Sequence, residues 1–106
     1  MSHTIKVRVE DKNVTVIPTR LHLRKEPQDQ EVVWEPETGV TITRIDFGDG
    51  PPIDPRKEEG SERWRGTFDH NAAERSYKYA IKIQGLQELD PEIEYGPGRD
   101  EPIDAY

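Results

Sequence analysis

Apolar residues fall on every second position in several short stretches of this chain. The clearest is Tyr77, Tyr79, Ile81 and Ile83, interleaved with Ser76, Lys78, Ala80 and Lys82. A period of two puts one row of side chains on one face of an extended strand and the other row on the opposite face. Aromatic and β-branched residues suit a pleated surface that is buried on one side. The pattern recurs at Ile5, Val7 and Val9, and again at Leu21 and Leu23. Residues 5–9 and 14–17 therefore predict two strands joined by the polar turn Glu10-Asp11-Lys12-Asn13, with Pro18 ending or bending the second because it has no N–H to donate. Further strands are expected at 20–24, at Val32-Val33-Trp34, and at 40–47. In the last of these the apolar parity switches between Ile42 and Ile45, the trace of a β-bulge near Thr43-Arg44.

From Gly48 the pattern lapses into a long loop that runs through the charged stretch to Arg63. Residues 64–68 predict a short edge strand, and Asn71 to Arg75 one helical turn or a loop. The strand 77–83 follows, then a turn at Gln84-Gly85 and a last extended segment at 89–95. Beyond it Gly, Pro and acidic residues predominate, which predicts a mobile tail. The expected organisation is one domain over 1–95 and an acidic tail over 96–106. Roughly eight short strands with Pro- and Gly-rich turns predict an all-β, antiparallel Greek-key sandwich.

Composition narrows the function. With 106 residues, 31% hydrophobic and 35% charged, the core must be thin, which suits two layers of strands and not a multilayer α/β enzyme. A net charge of -7 argues against nucleic acid and against anionic membrane surfaces. The absence of cysteine removes disulfides, thiolate metal sites and a cysteine nucleophile. No apolar run is long enough for a membrane helix. If Met1 is the native start, a cytoplasmic protein is expected.

Two resemblances follow from particular residues. The order Gln30-Glu31-Val32-Val33-Trp34, a turn, the strand 40–47, a long loop and the strand 77–83 resembles small bacterial cupredoxin-like domains, over about Arg20 to Tyr95. Copper-binding members use two His, a Cys and usually a Met. Here there is no Cys and the one Met is Met1, so the resemblance implies the fold without the copper site. The run Asp46-Phe47-Gly48-Asp49-Gly50 resembles a PKD-type immunoglobulin-like repeat. It carries Ile45 where that family has tryptophan, and an insertion from Pro51 to Arg63 that the family lacks. Both imply a sandwich, and neither fixes a function.

Candidate chemistry is sparse. Trp64 between Arg63 and Arg65 is the expected binding site, an aromatic anchor beside two guanidiniums, unless the ring merely covers the end of the sandwich. Trp34, after two valines, is expected in the core. Asp46, Asp49 and Asp54 around two glycines offer oxygens to a Ca²⁺ ion, although their spacing departs from the Ca²⁺-loop pattern and fits a β-turn. His22, between Arg20 and Arg24, is expected in solvent. Asp69-His70 hints at an imidazole oriented by a carboxylate, which adjacent residues achieve only in a turn. Asp90, Glu92 and Glu94, with Asp100, Glu101 and Asp104, predict a solvated acidic face and tail, in which Ile103 and Tyr106 could anchor to a basic partner. The expectation is a non-enzymatic interaction module that needs no cofactor. Its partner is another protein or, through an edge strand, a second copy. The alternative is a small ligand, either a carbohydrate on an exposed Trp or Ca²⁺ at the aspartates.

Overall fold

A computed structural model describes residues 2–48 and 52–96. The tail expected over 96–106 does not begin at Gly96, which ends β10 opposite Arg24, and the rest of it, with Ile103 and Tyr106, lies outside the described residues, as do Asp49 and Gly50. Among the described residues there are ten strands and no helix: β1 (Ser2–Glu10), β2 (Asn13–Ile17), β3 (Arg20–Arg24), β4 (Gln30–Pro36), β5 (Ile42–Asp46), β6 (Arg56–Lys57), β7 (Trp64–Phe68), β8 (Arg75–Lys78), β9 (Ala80–Ile83) and β10 (Glu92–Gly96). They form an all-β sandwich, as the alternation predicts. One layer is the sheet β2-β1-β4-β7-β6, and the other combines β3-β10-β8 with β5-β9.

Pairing is not antiparallel throughout. β1 runs parallel to β4, and β3 runs parallel to β10. Both pairs join strands distant in sequence, so alternation within each strand could not reveal their relative direction. The β1–β2 hairpin turns on Asp11 and Lys12, both at positive φ (51° and 67°), which matches the right-handed twist of the strands it joins. The bulge is where the parity switch places it. Ile42 faces Ile83 and Arg44 faces Lys82, so the register skips at Thr43 and both Ile42 and Ile45 reach the core.

Two other expectations are corrected, and a third is decided between its alternatives. The strand expected over 77–83 is split at Tyr79, with β8 pairing with β10 and β9 with β5. Past the break, Tyr79 N–H donates to Pro91 O (3.0 Å), and Ile81 and Leu89 exchange both backbone bonds (3.0 and 3.1 Å), so the run keeps the segment leading into β10 as a neighbour while β5 joins on its other edge. β7 is not an edge, because β6 covers its outer side. Of the helical turn or loop expected at Asn71 to Arg75, the loop is found, running into β8 at Arg75. Ala72 N–H bonds Asp69 O in a β-turn.

The core is the inward row of each strand. Ile5, Val7, Val32, Trp34 and Phe68 meet Leu23, Tyr77, Tyr79, Ile81, Ile93 and Tyr95. Trp34 packs edge-on against Tyr79 (5.6 Å between centroids) and donates its Nε1–H to the Tyr79 hydroxyl (3.1 Å). Phe47 stacks on Tyr79 at 4.7 Å. Burial raises the Tyr79 pKa well above that of an ordinary tyrosine, with the Trp34 N–H opposing in part. Tyr79→Phe keeps the ring but strands a buried indole N–H, and should cost about 1–3 kcal/mol in a denaturant melt. A neutral result would show that the bond contributes nothing.

The loop after β5 is pinned where it is described. Asp69 N–H bonds Pro52 O (2.9 Å), and Ile53 is buried. Gly66 makes this possible, since a Cβ there would lie 2.6 Å from Ile53 Cγ1 and 3.3 Å from Asp54 O. Gly66→Ala should therefore destabilise by about 1–3 kcal/mol through overpacking. Ile53→Ala should cost less in that background than alone, and strictly additive losses in the double-mutant cycle would contradict the contact.

Candidate functional site

β7 does not present Trp64 and its neighbouring arginines as one surface. Along this strand Gly66 and Phe68 are buried, and Trp64 shares their inward parity, half-buried and packed on the core. Its register partner on β4 is Trp34. Arg65 points outward and bridges two carboxylates, Glu31 (3.0 Å) and Glu58 (2.6 Å), the latter an ion pair without hydrogen-bond geometry. Arg63 bonds the other oxygen of Glu58 at 3.0 Å. Ring and guanidiniums thus lie on opposite faces, and both arginines are neutralised within the chain. Trp34 is wholly buried and presents no platform.

The aspartates of the proposed cation loop are likewise engaged. Asp46 accepts the Gly48 N–H (2.8 Å) on one oxygen and Arg44 on the other, and these two contacts, the backbone bond first, hold its carboxyl below the usual range. Asp54 takes a two-pronged contact from Arg56 at 2.9 and 3.0 Å. Asp49 lies outside the described residues. Asp46 and Asp54 serve local turns and pairs, as the β-turn reading of the sequence has it.

The histidines occupy three different settings. His3 Nε2 lies 3.0 Å from Oε1 of buried Gln30, whose amide donates to Arg24 O (2.9 Å). His22 is not in open solvent. It is half-buried, with Nδ1 3.5 Å from Glu94 of the parallel neighbour β10. His70 lies in the turn after β7, where its Nδ1 and backbone N–H (3.0 Å) both meet Asp29 Oδ1. The carboxylate that orients His70 is therefore Asp29, and Asp69 Oδ1 instead accepts the Asn71 N–H (2.8 Å). Asp29, Asp69 and His70 are the one set of three potential metal donors that converge, within 4.8 Å, among the described residues. Both carboxylates already cap turns. The His70 carbonyl is held in turn by the Tyr95 hydroxyl (2.8 Å) and Lys25 Nζ (3.2 Å). This corner ties the β3–β4 turn, the β7–β8 turn and the end of β10 together.

The outer face of β3-β10-β8 is not a solvated acidic surface. Arg20, Glu92 and Lys78 stand in one register row, with Arg20 Nε 2.6 Å from Glu92, and His22 stands beside Glu94. The central strand supplies carboxylates and the flanking strands supply cations, an arrangement that favours cross-strand attraction. At the top of this row lies a cleft of about 580 Å³, walled by Ile17, Pro18, Arg20, Lys78, Asp90 and Pro91. Ile17 is 46% exposed, the one large apolar side chain so exposed among the described residues. Parity marks it in the sequence: Val14 and Val16 claim the inward row of β2, so Ile17 must face out. Asp29 carried no such signal, because its partner lies 41 residues away.

The chain matches no protein-family model and no curated protein.

Hydrogen bonds from the His70 ring and then its backbone N–H depress the Asp29 pKa. A depressed carboxylate contributes stability that is complete above its unfolded-state pKa of about 4 and fades as pH falls through the folded value. Asp29→Asn should lower Tm at neutral pH, and the gap from wild type should close as the pH approaches about 2. A gap independent of pH in thermal melts would show that the Asp29 charge is not the cause.

Proposed function

We propose that this chain is a non-enzymatic protein-binding module, and that its binding site is the corner cleft beside Ile17 rather than the surface around Trp64. The observation that carries the reading is the exposed Ile17-Pro18 step on the wall of that cleft, opposite Pro91. The cleft sets apolar Ile17, Pro18 and Pro91 beside charged Arg20, Lys78, Asp90 and Glu92, and its volume lies within the range of recognition pockets. Arg20 and Lys78, from the strands flanking β10, together with Asp90, could fix the direction of a bound segment. Isolated exposed apolar residues are common, but one seated in a cleft between two prolines is not a scattered one.

The strand order supports grouping this module with copper-free cupredoxin-like sandwiches, and the turn at Asp46 is compatible with the immunoglobulin-like alternative. Neither grouping bears on the choice of partner. A small-ligand reading gains no support from the positions of Trp34, Trp64, Asp46 and Asp54. The net charge of -7 continues to disfavour nucleic acid as the partner.

Site-specific photo-crosslinking tests the proposal. A photoreactive residue at Lys78, inside the cleft, should give a discrete protein adduct in the cell of origin, and the same residue at Glu59, on a distant exposed turn, should not. Adducts at neither position, or equally at both, would overturn it.

A further inference from the structure

The edge strands of the sandwich are unequal in charge. β6 is Arg56-Lys57, β3 carries Arg20 and Arg24, and β5 carries Arg44 and Asp46. β2, Asn13-Val14-Thr15-Val16-Ile17, carries no charge at all and four β-branched residues in succession. Inward or flanking charges are the usual protection of an open edge against pairing with another chain, and β2 lacks it.

The register shows which backbone groups are open. A two-residue turn at Asp11-Lys12 closes with a bond between Glu10 O and Asn13 N–H, so Glu10 and Asn13 form a hydrogen-bonded pair. Bonded and non-bonded pairs alternate along an antiparallel ladder. Thr15 and Ile17 therefore turn their N–H and C=O groups toward Arg8 and Lys6 of β1, and Val14 and Val16 turn theirs toward the open edge. The Val16 carbonyl accepts the Thr19 hydroxyl at 3.2 Å and keeps a second lone pair.

We propose that β2 pairs with β2 of a second copy, antiparallel about a two-fold axis at Thr15, joining two five-stranded sheets into one. In this register Val14 exchanges both backbone bonds with Val16 of the second copy, and the reverse, so all four open groups of each strand are satisfied. Thr15 faces Thr15 across the axis, and Ile17 faces Asn13. No like charges meet, which self-pairing of β3 or β6 could not achieve. A two-fold interface of this kind is closed, so growth stops at the dimer. The proposal concerns the edge and not the cleft, so either can fail without the other.

Sedimentation across a concentration series should show a reversible monomer–dimer equilibrium. Hydrogen exchange should show the Val14 and Val16 amides gaining protection as concentration rises, while those of Thr15 and Ile17 are protected throughout. Thr15→Lys places two ammonium groups across the axis and should weaken association at least about tenfold. Mixing Thr15→Lys with Thr15→Glu should restore the dimer, and Thr67→Lys, on the outer face of interior strand β7, should leave it unchanged. A monomer at every concentration, Val14 and Val16 amides indifferent to concentration, or a Thr15→Lys chain that dimerises as well as wild type would each overturn the proposal.

Discussion

Tyr79 stands where one extended run of chain, still bonded to the segment leading into β10, gains β5 on its other edge. Below it β8 belongs with β10 and β3, and above it β9 belongs with β5. Two- and three-stranded sheets are marginal alone. They act as one layer because the backbone bonds of Tyr79 and Ile81 to Pro91 and Leu89 bridge them, and because the side chains at 77, 79, 81 and 83 point inward in unbroken alternation, each of them buried. The Trp34–Tyr79 bond then fastens this seam to the middle of the other sheet, where β4 lies between β1 and β7. A chain with so few apolar residues concentrates its aromatic contacts here and around Phe68, where Tyr77 and Tyr95 converge.

What was legible in the sequence was everything that depends on neighbours within one strand. Alternation located the strands, the parity switch located the bulge, and the polar turn at Glu10 to Asn13 located the hairpin. What was not legible depends on neighbours far along the chain. Nothing in residues 2–10 announces that they run parallel to residues 30–36, and nothing in the run 75–83 announces that β5 joins its second half alone. The site follows the same division. Outward-facing Ile17 can be deduced from Val14 and Val16. The Asp29–His70 contact cannot, because it requires two turns from different strand pairs to be brought to one corner. Trp64 misleads for a related reason: flanking arginines suggest a polar environment, but in a strand the flanking residues point the other way.

Charge is distributed by the same topology. A chain with more than a third of its residues charged could be expected to present blocks of one sign, yet the outer faces set carboxylates against cations across strands. Arg65 lies between Glu31 and Glu58, and Glu92 lies between Arg20 and Lys78. Pairs this exposed contribute little to stability, commonly below about 1 kcal/mol each. Their larger consequence is specificity of register, because a shift by one residue would part these charges and turn the apolar row outward.

The cleft and the unguarded edge have one structural cause. Between β2 and β3 the chain crosses from one layer to the other with only Pro18 and Thr19 to do it. So short a crossing forces both strands to the same margin of the sandwich, where among the described residues each has one neighbour: β1 for β2, and β10 for β3. Pro18 has no N–H to offer the ladder, so pairing must stop at Ile17. Asp90 and Pro91, which lead into β10, meet this crossing from the other layer and complete the cleft. An open β edge and a recess at one corner are thus what a two-residue crossing produces, and the surface freedom left to the sequence was whether to charge the two strands. It charged β3 and left β2 bare.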